Sequence, residues 1–182
     1  MIFIADSIYS RKRRRPMASA PVASRRDEAE HVVQDFKLQS AFESFVITLF
    51  DPLYFKCYRA KAEHVYAGKT MQAETGPDLI FDFNQKETRG RFGITTQYYR
   101  HTPKNEVQLH SHDRQQFIRE FESTRDMDVY YVLGFGGRPD DPRELFFVPA
   151  KDVNSEYITR AELRRYSKSG MFYFNRKTGR IQ

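Results

Sequence analysis

Residues 77–99 read PDLIFDFNQKETRGRFGITTQYY and decide the fold. Two runs of apolar, aromatic and β-branched residues, Leu79–Phe83 and Arg91–Tyr99, predict two strands. The polar segment 84–90 between them predicts a turn. The stretch therefore predicts an antiparallel β-hairpin near the middle of the chain.

Further elements are predicted on both sides of this hairpin. Apolar residues spaced by three and four predict a helix from Asp27 to about Phe50, which the following Asp-Pro pair ends. The remaining predictions, in chain order, are a strand at Tyr54–Lys61, a loop at 62–76, a helix at Asp113–Arg125, a strand buried on both faces at Val129–Phe135, a loop at 136–142, a strand at Glu144–Pro149, a short helix opened by Thr159, a strand at Met171–Phe174 and a turn at 177–179. Because strands and helices do not strictly alternate, we expect an α/β (α+β) fold with a mixed sheet and helices packed on it.

The positive charge is concentrated at the N-terminus. The 182 residues carry a net charge of +6, and residues 1–26 hold seven bases and one acid. The rest of the chain holds 23 bases and 23 acids, so it is neutral. This distribution predicts a disordered basic tail at 1–26 and a single domain at 27–182. Whether Met1 or Met17 is the true start stays open.

Several classes of protein are excluded. The lone Cys57 excludes a disulfide framework and a zinc site built on thiolates. His110 and His112 lack a second ligand pair with defined spacing, so they do not predict a zinc site. No Lys-Ser/Thr follows the glycines at 134–137, so these do not predict a P-loop. No apolar run approaches the roughly 20 residues needed to cross a bilayer. We therefore expect no membrane partner and a cytoplasmic location.

Three segments together resemble the PD-(D/E)XK restriction-endonuclease-like superfamily. They are Phe42-Glu43 in the first helix, Pro77-Asp78 before the second strand, and 95–97 on the third strand. The resemblance covers roughly residues 40–153 and implies a core of helix, strand, strand, strand, helix, strand, with C-terminal additions. It also implies that an acid on the first helix, the Asp after Pro and a Glu-X-Lys meet at one end of the sheet. In the family the acids hold Mg²⁺ for phosphodiester cleavage, and the lysine positions the attacking water.

The chain departs from the family at the third of these segments. Thr95-Thr96-Gln97 stands where the family has Glu-X-Lys, and neither Thr95 nor Gln97 ionises, although both should face Asp78. We therefore predict a remnant catalytic site of Glu43, Asp78, Thr95 and Gln97, in which Asp78 and Glu43 bind metal only weakly. The leading hypothesis is a nucleic-acid-binding, catalytically degenerate nuclease domain. Such a pseudoenzyme binds DNA and can have a protein partner.

Two alternatives stay open. The first is an active magnesium-dependent endodeoxyribonuclease whose catalytic groups have moved, with Asp82, Lys86, Glu87 and Lys61 as candidates. Mg²⁺ is then the cofactor, and without activity none is needed. The second is a structural or protein-interaction domain that kept only the fold. The residue pattern leaves open whether the chain is an enzyme.

Aromatic and basic residues occur together at two places, 98–101 and 164–166. Binders of single-stranded nucleic acid combine these types for base stacking and phosphate contact. Ordinary surface and core tyrosines are the other interpretation. The predicted nucleic-acid contacts are Arg11, Lys12, Arg13, Arg14, Arg15, Tyr99, Arg100 and Gln115.

Overall fold

The computed structural model of the chain describes residues 25–59, 63–66, 69–72, 76–175, 178 and 180–181, with side chains at 35–59, 76–175, 178 and 181. The helices are α1 (Arg25–Thr48), α2 (His112–Arg125) and α3 (Arg160–Leu163), with 3₁₀ turns at Ala150–Asp152 and Arg164–Tyr166. The strands are β1 (Phe55–Arg59), β2 (Glu63–Tyr66), β3 (Lys69–Gln72), β4 (Leu79–Gln85), β5 (Thr88–Tyr99), β6 (Glu106–Gln108), β7 (Val129–Arg138), β8 (Asp141–Pro149), β9 (Tyr157–Thr159), β10 (Phe174–Asn175) and β11 (Arg180–Ile181). The arginine run at 11–15 and both candidate start codons lie outside the described residues.

Five strands form the central mixed sheet in the order β1-β4-β5-β7-β8. Neighbouring strands are antiparallel except β5 and β7, which are parallel and are connected through α2. A parallel pair needs such a crossover, whereas the antiparallel pair β4 and β5 is joined by a tight hairpin. The predicted mixed α/β fold is confirmed: in the central sheet, β1, β4 and β5 follow α1, and β7 follows α2.

Apolar clusters cover both faces of the sheet. On one face, Phe42 and Val46 of α1, together with Phe50 after the helix, form a cluster with side chains of β4, β5 and β7. On the other face, Ile118 of α2 packs with alternate residues of β7. Residues 129–136 of β7 are buried, which confirms the prediction of a strand covered on both faces. None of the described helices has the length and apolar character needed to span a membrane.

Two predicted loops contain strands instead. Within 62–76, the short strands β2 and β3 form an antiparallel pair. At 136–142 the ladder of β7 and β8 continues to the pair Arg138 and Asp141. Gly137 permits this with a φ of 70°, because a Cβ there would lie 2.5 Å from the carbonyl oxygen of Asp141. Pro142 is tolerated because β8 is an edge strand, so its missing N–H removes no bond from the interior of the sheet.

The helix α1 approaches the sheet most closely at Gly134 of β7. A Cβ added at Gly134 would lie 2.5 Å from the Cε2 atom of Phe42, whose ring is fully buried. We expect Gly134→Ala to lower the free energy of unfolding by about 1–2 kcal/mol, because overpacking forces the ring and helix to shift. Urea denaturation tests this, with Gly90→Ala as the matched control, since a Cβ there meets nothing within 4 Å. Equal stability of the two variants would contradict the prediction.

Candidate functional site

The site lies where β5 extends beyond the start of β4. The ladder between these strands begins at Leu79 and Ile94, and β5 continues to Tyr99. Beyond this point β5 still pairs with β7, but on its other side backbone groups bond side chains instead of a strand. The Thr96 N–H donates to Asp78 Oδ2 at 2.8 Å, and the Gln39 Nε2 donates to the Thr96 carbonyl at 2.7 Å. These side chains satisfy backbone groups that β4 leaves unpaired.

Gln39 of α1 replaces a piece of the missing strand. Its Nε2 reaches the carbonyl oxygen and, at 2.9 Å, the hydroxyl of Thr96. Its Oε1 accepts a hydrogen bond from the Tyr98 N–H at 3.1 Å. The amide therefore bonds β5 with one donor and one acceptor, as a peptide group of a neighbouring strand would. This arrangement fixes α1 to the edge of β5.

Both carboxylate oxygens of Asp78 contact donors of the protein. Oδ1 accepts a hydrogen bond from the Arg114 Nη2 of α2 at 3.2 Å. Oδ2 accepts from the Thr96 N–H and from the Thr96 hydroxyl, the latter at 3.4 Å. The side chains of Arg114 and Asp78 are only 10% and 16% exposed. Their ion pair is thus largely removed from water, where the loss of one partner is costly.

Local packing places the two partners of this ion pair. A Cβ at Gly93 would lie 2.7 Å from Cγ of Pro77, so the glycine makes room for the residue directly before Asp78. Arg114 lies in the first turn of α2, which begins after the N-cap Ser111. Burial raises the pKa of the nearby Tyr131 to about 12, so its phenol is neutral beside the guanidinium. The carboxylate of Asp78 is therefore the charged partner of Arg114.

Of the other three predicted site residues, Glu43 and Thr95 are buried and Gln97 is half-buried. Glu43 is 1% exposed and lies one helical turn after Gln39, on the same face of α1. Thr95 and Gln97 alternate with Thr96 along β5, so they face α2 rather than α1. Within the described part of the chain, their Oγ1 and Oε1 atoms are buried without a hydrogen-bond partner. The residue of β5 that hydrogen-bonds Asp78 is Thr96.

The residues that could carry a rearranged catalytic site do not form a carboxylate cluster. Asp82 forms a bidentate ion pair with Arg91, and this contact lowers the pKa of the Asp82 carboxyl. Lys86 and Glu87 form the two-residue turn between β4 and β5. Lys61 lies outside the described residues. Among the residues that the structure describes, no group of three or more His, Cys, Asp and Glu side chains could hold a metal ion.

The predicted nucleic-acid contacts within the described residues have internal partners. The Tyr99 hydroxyl donates to the Gln108 carbonyl, and Arg100 pairs with Asp35 at 3.2 Å. Gln115 is 4% exposed, and its Nε2 donates to the carbonyls of His110 and Ser155. Their contact with nucleic acid remains a prediction, as does that of the arginine run in the tail.

Sequence reasoning missed three residues of this site, Gln39, Thr96 and Arg114. It expected Thr95 and Gln97 to face Asp78, but the residue of β5 that contacts Asp78 is Thr96 between them. Gln39 carried a signal, because it extends the buried stripe of Phe42 and Val46 by one turn toward the start of α1. A polar residue in line with an apolar stripe indicates a partner on the element beneath it. Arg114 carried no such signal, since basic residues are common on solvated helix surfaces.

No protein-family model and no curated protein matches the chain. Among solved structures, the chain is similar to Hjc, a Holliday junction resolvase from the archaeal hyperthermophile Archaeoglobus fulgidus. The two share 15% identity with a TM-score of 0.42, over 81% of this chain and 94% of that chain. A likeness of this degree assigns no activity to the chain.

Proposed function

We propose that this chain is a nucleic-acid-binding domain with a nuclease-like fold and a degenerate catalytic site. The observation that carries the proposal is the ion pair between Asp78 and Arg114, 3.2 Å from Oδ1 to Nη2. In the superfamily that the sequence resembles, the aspartate at this position holds the metal ion. Here a guanidinium from α2 supplies the positive charge, and the site needs no metal to balance it.

The residues of the site do not fit a magnesium ion. Mg²⁺ demands near-octahedral oxygen coordination and is usually held through one or two carboxylates. Asp78 already accepts hydrogen bonds at both oxygens, and a cation beside it would repel Arg114. Thr95 and Gln97 add no charge where the family has Glu and Lys. We therefore derive no metal-dependent step for this site.

The proposal of nucleic-acid binding, with DNA as the ligand, has two supports. The order of helices and strands is that of the superfamily that the sequence resembles. The basic residues 11–15 add charge that attracts phosphate. A protein partner beside the nucleic acid is part of the same proposal, because a domain without a complete catalytic site can act beside an active subunit.

We expect the full-length chain to bind DNA without cutting it. Incubation with plasmid and single-stranded DNA in Mg²⁺ or Mn²⁺ should give no cleavage product. A gel-shift assay should show binding that weakens as salt rises. Titration calorimetry should detect no Mg²⁺ binding in the millimolar range. The matched control is Asp78→Asn, which keeps the size of the side chain and should bind DNA as the parent does.

Each alternative gives a different result in these assays. Cleavage that Asp78→Asn abolishes would contradict the degenerate site and support an active endonuclease. Absence of both cleavage and DNA binding would contradict the proposal as a whole and favour a protein-interaction domain. Binding that disappears when residues 11–15 are changed to serine would assign the contact to the tail.

A further inference from the structure

A polar cavity lies away from Asp78, next to the start of β7 and the end of β8. It has a volume of about 510 Å³, and Tyr130 and Phe147 contribute to its lining. Their rings stack with centroids 4.3 Å apart. Residues 165–169 and Tyr173 also line the cavity, which we call the C-terminal groove. Its volume lies within the roughly 300–1,000 Å³ of small-molecule sites.

The C-terminal groove carries a positive charge. Lys151, Arg165 and Lys168 line it, and Asp152 is the acid among its lining residues. Because Lys151 pairs with Asp128 at 3.3 Å, the surplus charge comes from Arg165 and Lys168. The carboxylate of Asp152 accepts a hydrogen bond from the hydroxyl of Tyr166 at 2.9 Å. The surplus of basic groups in a concave surface favours an anionic ligand. The hydroxyls of Ser167 and Ser169 add hydrogen-bond donors that a phosphate can accept.

Aromatic rings border these cations. Tyr173 is 56% exposed, and Lys168 Nζ lies 5.4 Å from its ring centroid. The Arg165 guanidinium lies 4.7 Å from the ring centroid of Tyr166. Exposed rings beside cations are the combination by which proteins stack bases and contact the phosphates between them. An apolar ligand would not use the charges of Arg165 and Lys168, and a simple anion would not use the rings.

A neighbouring cavity shares Tyr173 with the C-terminal groove. It has a volume of about 230 Å³ and is lined by Tyr54, Met171 and Phe174 together with Tyr173. Tyr54 is 42% exposed, so it offers a further ring surface. Two cavities that share one tyrosine suit consecutive nucleotides of a strand better than one free nucleotide.

We propose that the C-terminal groove binds single-stranded nucleic acid, with a base against Tyr173, the adjoining phosphate at Arg165 and Lys168, and the next base near Tyr54. The inference rests on the proposed nucleic-acid binding and deepens it, because it names the class of ligand and the surface. Duplex DNA fits less well, since its bases are paired and stacked inside the helix and cannot lie against a tyrosine.

Fluorescence anisotropy with a labelled oligothymidylate tests the inference. The protein is the 182-residue chain with residues 11–15 changed to serine. Binding by these basic residues then does not obscure the affinity of the groove. We expect Tyr173→Ala and Arg165→Ala each to weaken binding about tenfold, since stacking of one base is worth about 1–3 kcal/mol. Arg165→Ala should also reduce the slope of log affinity against log salt by about 0.7, as expected for one lost phosphate contact.

Matched variants separate a groove contact from a general loss of charge or fold. Tyr173→Phe keeps the ring and should bind within about twofold of the parent. Tyr58→Ala removes an exposed tyrosine outside the groove, and Arg89→Ala an exposed arginine, so both should also stay within twofold. Tyr54→Ala should weaken binding of the oligonucleotide but leave competition by thymidine monophosphate unchanged.

The outcomes distinguish this inference from the proposed function. Binding that persists when Tyr173 and Arg165 are changed would overturn the inference alone. Absence of nucleic-acid binding by the parent chain would overturn both. Tighter binding of duplex than of single strand, or equal affinity for thymidine monophosphate and the oligonucleotide, would overturn the assignment to a single strand.

Discussion

Replacement of Arg114 by methionine should lower the free energy of unfolding by about 3–5 kcal/mol, the largest effect expected for a substitution at the site. The change leaves the carboxylate of Asp78 in a place where its side chain is 16% exposed, without its cationic partner. Breaking a buried ion pair from one side has a cost of this size, because an uncompensated charge stays behind. Urea denaturation of the parent and the variant measures the difference.

A double-mutant cycle separates the ion pair from simple packing. Asp78→Asn in the Arg114→Met background removes both charges, and we expect it to recover part of the lost stability. Arg125→Met is the matched control, because this arginine ends the same helix and is exposed. It should cost no more than about 0.5 kcal/mol. An equal cost for Arg114→Met and Arg125→Met would show that the ion pair contributes nothing.

The fold was predictable from the sequence where periodicity is strong and long. The helix at α1, the hairpin of β4 and β5 and the crossover helix α2 each show one clear spacing of apolar residues over many positions. The predictions failed at 62–76 and 136–142, where Gly, Pro or small polar residues suggested loops. At 136–142 the glycines bend the ladder without ending it, since Gly136 and Gly137 have φ values of 61° and 70°. Composition alone does not distinguish such a hairpin from a loop.

The site was predictable only in part. Proline before an aspartate at the start of a strand indicated the position of Asp78, and the neutral character of Thr95 and Gln97 was visible in the sequence. The partners of Asp78 were not, because Thr96 is 18 residues away and Arg114 is 36 residues away along the chain. Contacts of this range depend on how far one strand extends past its neighbour, and a single sequence does not fix that overhang.

The position of Gln39 explains how α1 can control the edge of β5. Its amide bonds Thr96, which in turn bonds Asp78, and Asp78 pairs with Arg114. One chain of polar contacts therefore links α1 to α2 across the open end of β4. Asp78 and the backbone groups of β5 at this open end are thus occupied by contacts within the protein.

Gln39→Ala should lower the free energy of unfolding by about 2–3 kcal/mol. The substitution removes three hydrogen bonds and leaves the carbonyl of Thr96 and the N–H of Tyr98 without a partner from α1. Each unsatisfied group in a partly buried place costs about 1–3 kcal/mol, and residual access to water reduces the sum. Urea denaturation gives the change in stability, and hydrogen exchange of the Tyr98 amide should become faster in the variant.

Lys37→Ala is the matched control for this prediction. Lys37 lies on the same helix, is exposed, and has nearly the same helix propensity as glutamine. It should change stability by no more than about 0.5 kcal/mol and leave exchange at Tyr98 unaltered. If the two alanine variants are equally stable, Gln39 does not replace the missing strand, and the edge of β5 is held by Asp78 alone. A selective loss in Gln39→Ala would instead show that α1 closes the open end of the sheet beside Asp78.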